Sequence, residues 1–185
     1  MNPINNIMPK LLRNIDLTTT ESEDVFKYLV SGEASDVEMA AFLSTLSMKG
    51  SSSDELTGAA KSLFPYVTNP LKLRIDTIDI VGTGGDGLKT YNISTAVAFI
   101  VASYKKVYVA KHGNTAVSSE SGASDVLSEL GINISINEEL LNKCLEKTNM
   151  CFLFAPNYNK AFKYVAKVRK ELIFRTIFNL LGPLL

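Results

Sequence analysis

The sequence predicts an α/β protein in which a small helical bundle precedes a domain built on a parallel sheet. Three observations carry that reading. Up to about residue 66 the apolar residues recur only at helical spacing. Beyond about residue 75, short β-rich runs alternate with single helix-like stretches, as right-handed βαβ units require. The first of those runs ends in glycines, where parallel α/β sheets hold their ligands.

In chain order, Ile4, Ile7, Met8, Leu11 and Leu12 give the first turns an apolar stripe. Val25, Phe26, Leu29 and Val30 repeat the spacing before Gly32, a C-terminal stop. Ser35 with Glu38 forms a capping-box pattern ahead of Met39, Phe42, Leu43 and Leu46, and Gly50 closes that helix. Ser52 with Glu55 opens a fourth helix, which Pro65 should end. None of these short helices can bury its stripe alone, so residues 1–67 are expected to form a bundle or a dimerisation surface. Residues 68–74, with Pro70, read as a linker.

The second domain is expected over 75–185. Ile75, Ile78, Ile80 and Val81 make a first strand, Val107 to Val109 a second, 132–136 a third and 151–154 a fourth. Helices are expected between them at 94–103, 124–130 and 138–147. Residues 160–181 are again helical and could return to the helical domain.

Composition narrows the function classes. Nineteen basic residues balance nineteen acidic ones, against a broad nucleic-acid footprint. Cys144 and Cys151 have no companions at metal-ligand spacing and there is one histidine, which argues against structural zinc. The N-terminus lacks an apolar signal region, and the longest apolar run, 96–102, is far too short to span a bilayer. A cytoplasmic protein is the expectation.

The turn Gly82-Thr83-Gly84-Gly85-Asp86-Gly87 can bring backbone amides into a concave anion nest. Gly82, Gly84 and Gly87 satisfy G-x-G-x-x-G, but a dinucleotide site also wants an acid about 20 residues on. The second strand instead runs into Lys111. Gly82 with Gly87-Leu88-Lys89-Thr90 imitates a P-loop, yet Leu88 is one residue too many for a lysine that works at fixed reach. Thr90, Asn92, Ser94 and Thr95 then crowd short hydrogen-bonding side chains at a helix start, where a plain cap needs one. That excess suggests an anion or a metal-bound phosphate. Lys111-His112-Gly113-Asn114 should lie at the same sheet edge, with Lys111 as a point charge against phosphate and Asn114 for a polar substrate group.

These blocks, together with Ala116-Val117-Ser118-Ser119, Ser121-Gly122, Asp125-Val126-Leu127, Met48-Lys49-Gly50 and the run from Arg175 to Leu184, are collinear. With them the chain resembles the N-terminal half of the anthranilate phosphoribosyltransferase family, glycosyltransferase family 3, almost end to end. The related pyrimidine-nucleoside phosphorylases share the architecture but carry a different lysine loop. The resemblance implies transfer of a phosphoribosyl group from phosphoribosyl diphosphate to anthranilate, in tryptophan biosynthesis, with Mg²⁺ and release of diphosphate. It implies that Gly82, Gly85, Asp86, Thr90, Asn92, Ser94, Thr95, Lys111, Ser118 and Ser119 hold phosphoribosyl diphosphate. Ser94 would ligate magnesium, and Gly82, Asn114 and Arg169 would meet anthranilate. A homodimer through the helical domain is implied as well.

The sequence departs from the family pattern at Thr115 in place of Arg, Ala123 in place of Ser, Asn159-Lys160 in place of His-Pro, and Ile173 in place of Gly. Against the family's length the α/β domain is truncated, without the acidic pair that binds magnesium. Two readings stay open: an enzyme completed by a separately encoded C-terminal half, or a catalytically silent remnant that binds phosphate ligands or dimerises.

Overall fold

The computed structural model describes residues 2–67, 72–83, 91–115 and 121–185. In chain order its elements are α1 (Pro3–Leu11), α2 (Thr19–Ser31), α3 (Asp36–Lys49), α4 (Ser53–Leu63), α5 (Ile93–Ser103), β1 (Val109–Gly113), α6 (Ala123–Glu129), α7 (Glu138–Thr148), β2 (Met150–Phe154), α8 (Phe162–Glu171) and α9 (Ile177–Leu181). The chain divides into two compact units, Met1–Thr68 with Asn159–Leu185, and Asn69–Tyr158.

The helical unit is built from local signals that agree with its core. Ser35 and Ser52 each accept from the amide three residues on, and Glu38 and Glu55 return the bond, which closes both capping boxes. Thr18 and Glu21 make a third box at the start of α2. Gly32 and Gly50 end their helices at φ +88° and +85°, where a side chain would be strained. The stripes of α1 to α4 close around Val25, Phe26, Leu29, Phe42, Leu43 and Leu46. Phe26 meets Phe42 and Phe178 edge-on at 5.5 Å between ring centroids. Val165, Val168, Ile177, Phe178 and Leu181 of α8 and α9 belong to this same core.

Beneath α3 and α4 lies a buried polar knot. Glu55, 0% exposed, accepts from the Leu17 amide at 2.9 Å, the Ser52 amide at 2.8 Å and Lys49 Nζ at 2.9 Å. Lys49 also pairs with Asp16 and donates to the Gly50 carbonyl at 2.8 Å. Burial pushes the Lys49 ammonium down, but Asp16 and Glu55 outweigh it and hold it above its ordinary value.

Gly58 sets how closely α2 and α4 approach. A Cβ there would lie 2.3 Å from the Thr19 carbonyl oxygen and 2.7 Å from the Glu23 amide nitrogen. Alanine would gain about 1 kcal/mol in helix propensity, but backbone cannot yield to a methyl group at that distance. Gly58→Ala is therefore expected to destabilise the helical unit by roughly 1–3 kcal/mol. A lower midpoint in thermal unfolding followed by far-UV circular dichroism checks this, and a raised midpoint would refute it.

In the other unit β1 and β2 pair in parallel, Val109 opposite Met150 through Gly113 opposite Phe154. Ala98 and Ala102 of α5 meet Val109 and Met150, while Leu141 and Leu145 of α7 meet Ala110 and Cys151. The alternation of strand residues thus feeds two different helices. The expected first strand contributes one parallel bridge, Ile78 to Val109. The second starts later than expected and runs through Lys111 and His112 to Gly113. The strand expected at 132–136 is absent, although Ile132, Ile134 and Ile136 alternate. Asn133 Oδ1 accepts from the Ser135 amide at 3.0 Å, so a local turn wins over the strand period. The final helical stretch is broken between Glu171 and Ile177 into α8 and α9.

Candidate functional site

The carboxyl end of β1, the 79–83 segment and the N-terminus of α5 come together around Lys111. Its side chain points from the middle of β1 toward α5 and is 1% exposed. The ammonium donates to the Ile80 carbonyl at 2.8 Å, Ser94 Oγ at 3.3 Å and the His112 carbonyl at 3.4 Å. Among the described residues no carboxylate forms a salt bridge with it. Burial holds its proton affinity below that of a free lysine, a fall only partly offset by the charge of Asp79. Lysine is almost never fully buried without a partner.

The short polar side chains at the start of α5 do no capping. Asn92 occupies the N-cap position without a side-chain cap bond, and its Nδ2 donates instead to Ser121 Oγ at 3.1 Å. Ser94 Oγ accepts from Lys111. Thr95 Oγ1 is buried with no hydrogen-bond partner among the described residues; a buried hydroxyl left so normally costs about 1–3 kcal/mol. Asn92, Thr95 and Ser121 line a cavity of about 540 Å³ floored by Ala96, Phe99, Val126 and Leu130.

Among the described residues Gly82 has no heavy atom within 4 Å of where a Cβ would stand, and its φ is not left-handed. The glycine there is thus not demanded by backbone strain. Gly113 is different, since a Cβ would lie 2.9 Å from both Ala123 Cβ and a Phe152 ring carbon. Asn114 is exposed, with Oδ1 accepting from the Thr115 amide at 2.8 Å, and none of the described hydrogen bonds uses its Nδ2.

Gly82, Asn92, Ser94, Thr95, Lys111 and Asn114 belong to one unit, and Arg169 belongs to the helical unit, on α8. Its guanidinium sits 5.4 Å from the ring centroids of both Phe162 and Phe178, which themselves meet edge-to-face at 5.7 Å. Burial pushes its ionisation down to about 10. Gly85, Asp86, Thr90, Ser118 and Ser119 lie outside the described residues. Sequence reading missed Asp79, which accepts from the His112 amide at 3.2 Å and meets His112 Nδ1 at 2.7 Å. An acid four residues before Thr83 in a β-rich run was the available signal. Burial raises the Asp79 carboxyl, but His112 more than reverses this and leaves it below the ordinary value.

The described residues do not by themselves make a magnesium site. No cluster of three His, Cys, Asp or Glu exists among them, and the Ser94 hydroxyl has an ammonium 3.3 Å away. Near-octahedral Mg²⁺ needs several further oxygens. No helix among the described residues is long and apolar enough to cross a membrane.

A glycine-flanked strand end, a buried lysine with no described carboxylate partner and a helix start whose polar side chains make no cap characterise the α/β unit, in a chain that also carries a helical bundle. Residues 74–185 match the a/b domain of the glycosyl transferase family and residues 5–64 match its helical bundle domain; the chain belongs to that family. It is similar to the anthranilate phosphoribosyltransferase of Clostridium kluyveri, 48% identical over 98% of this chain and 54% of that protein. The same enzyme of Methanobrevibacter smithii is 49% identical over 95% of this chain and 52% of its own length. The chain thus spans about half the length of these relatives. Among solved structures, anthranilate phosphoribosyltransferase from Thermus thermophilus superposes with a TM-score of 0.81 at 38% identity, covering 100% of this chain and 54% of that one. The Saccharomyces cerevisiae enzyme in complex with PRPP and Mg gives 0.83 at 29% identity, over 98% of this chain and 54% of that one.

Proposed function

We propose that this chain carries the phosphoribosyl-diphosphate site of an anthranilate phosphoribosyltransferase. The observation that carries the reading is Lys111, a fully buried ammonium without a carboxylate partner among the described residues, set below an open glycine and beside hydroxyls that cap nothing. In the transfer, the ribose C1–O bond breaks with its electron pair leaving on diphosphate. The C1–N bond forms from the lone pair of the aromatic amine, which then loses a proton. The leaving group gains charge, so a fixed cation and amide dipoles stabilise the transition state more than the ground state. Lys111 supplies the cation. Gly82, Asn92, Ser94 and Thr95 supply space and donors, with Gly85, Asp86, Thr90, Ser118 and Ser119 completing the set by family pattern. Asn114 and Arg169 are assigned to anthranilate. Mg²⁺ enters with the diphosphate as part of the substrate, with Ser94 as a protein oxygen toward it.

The uncovered side of α5 bears on how the activity is completed. Its sequence, ISTAVAFIVAS, is apolar all round, yet Ile93 and Ile100 are 58% and 68% exposed. Helices apolar on every side are buried in working proteins. This favours further structure packed on α5 in the active protein over a silent remnant. A homodimer through the helical unit is proposed too, where Val37 and Met48 are largely exposed. Sedimentation at several concentrations tests the dimer, and a monomer throughout would remove it.

The test of function is loss of anthranilate fluorescence on mixing chain, phosphoribosyl diphosphate and Mg²⁺, alone and with the complementary half of a relative added. Turnover that needs every component supports the reading. No turnover in either mixture, with folded protein, sinks it.

A further inference from the structure

The 79–83 segment is tied to β1 by one side chain. Asp79 reaches the His112 amide with Oδ1 and the His112 ring with Oδ2, at 3.2 Å and 2.7 Å. The two residues are 33 apart in sequence and both are partly exposed, at 33% and 26% of their side chains. A carboxylate has lone pairs but no proton to give. Nδ1 must then carry the hydrogen in this contact. In a neutral imidazole that leaves Nε2 as a bare acceptor, and none of the described hydrogen bonds uses it. His112 is the penultimate residue of β1, at the sheet edge where parallel α/β proteins hold ligands.

We propose that Asp79 is a positioning residue, which fixes His112 in its Nδ1–H form so that Nε2 stands at the sheet edge as an acceptor for an N–H on the second substrate. The amine part rests on the transferase reading; the tautomer part does not. The carboxylate–imidazole arrangement is a general way to set which ring nitrogen is free. Here the carboxylate also fastens the backbone leading to Gly82 to the strand that carries Lys111. An amine N–H directed at Nε2 would turn its lone pair in a defined direction, which is what positioning contributes to a weak, neutral nucleophile.

The chain holds one histidine, so its imidazole can be observed without assignment. Long-range ¹H–¹⁵N correlation on the ¹⁵N-histidine-labelled chain at neutral pH should show Nδ1 as the protonated, pyrrole-type nitrogen and Nε2 as pyridine-type. The reverse pattern in the unaltered chain overturns the proposal with no variant needed. Asp79→Ala, and the milder Asp79→Asn, should shift the proton toward Nε2 or mix the two forms. An unchanged pattern in a folded variant would remove Asp79 as its cause. Adding anthranilate with phosphoribosyl diphosphate and Mg²⁺ should move the Nε2 resonance toward a hydrogen-bonded position. If transfer occurs and Nε2 does not move, the acceptor role fails while the transferase reading survives. If the tautomer is as stated and no transfer occurs with the complementary half, the transferase reading and the amine role fail, and the positioning of His112 stands.

Discussion

Glu55→Ala is expected to lower the stability of the helical unit by roughly 3–5 kcal/mol, the cost of leaving a buried charge without its partner. Three donors converge on this carboxylate, the Leu17 and Ser52 amides and Lys49 Nζ. Alanine strands all of them. Lys49 has a side chain only 4% exposed, so it cannot turn to water without opening the joint between α3 and α4. Asp16, 64% exposed, remains as a partner, but an exposed carboxylate compensates weakly. Glu55→Gln separates charge from shape. It keeps an acceptor for one amide but adds a donor against Lys49, so about 1–3 kcal/mol should be lost. The check is the urea midpoint of the far-UV circular dichroism signal. A shift for alanine no larger than for an ordinary surface replacement, within about 0.5 kcal/mol, would show that the knot contributes little.

Lys111→Met should act oppositely on binding and stability. The ammonium is the one described cation at the proposed diphosphate site, and charge-assisted contacts to phosphate are the strong kind. Truncating one partner of such a buried contact typically costs about 2–5 kcal/mol. Affinity for phosphoribosyl diphosphate with Mg²⁺ should therefore fall by about 30- to 4,000-fold in calorimetric titration. Methionine fills a similar volume and removes the desolvated charge. The unliganded protein should be unchanged in stability or stabilised by about 1 kcal/mol, as when buried charges give way to apolar groups. Weaker binding together with marked destabilisation would show that Lys111 serves the fold first, through Ile80 and Ser94.

The helical unit was legible in the sequence because its signals are local. Ser35 with Glu38 and Ser52 with Glu55 sit three residues apart, and Gly32 and Gly50 fall where the stripes end. The second role of Glu55 was not legible, since Leu17 lies 38 residues away. The Met48-Lys49-Gly50 block could be matched to a family but not explained; the structure makes Lys49 a structural charge. At the site, the glycine turn, Asn92 to Thr95 and Lys111 could be named, because residue types at a strand end and helix start carry chemistry by themselves. The burial of Lys111 depends on α5 lying over β1, and the Asp79–His112 contact joins separate segments. Neither leaves a local mark. The misread strand at 132–136 shows the converse: Ile132, Ile134 and Ile136 mimic the strand period, while one asparagine side chain decides the backbone.

The division of the chain also bears on how the protein comes to fold. Its helical unit is assembled from two separate stretches, Met1–Thr68 and Asn159–Leu185, with the α/β unit inserted between them in sequence. During synthesis α1 to α4 emerge first yet lack Phe178, the ring that meets Phe26 across the core. Their core closes only after α8 and α9 have left the ribosome. If the insert were still disordered, joining its ends at the Val67–Asn159 bridge would cost roughly 4 kcal/mol of loop-closure entropy. An already folded insert removes most of that cost. Folding of the α/β unit is thereby coupled to closure of the helical one, in the order that translation imposes.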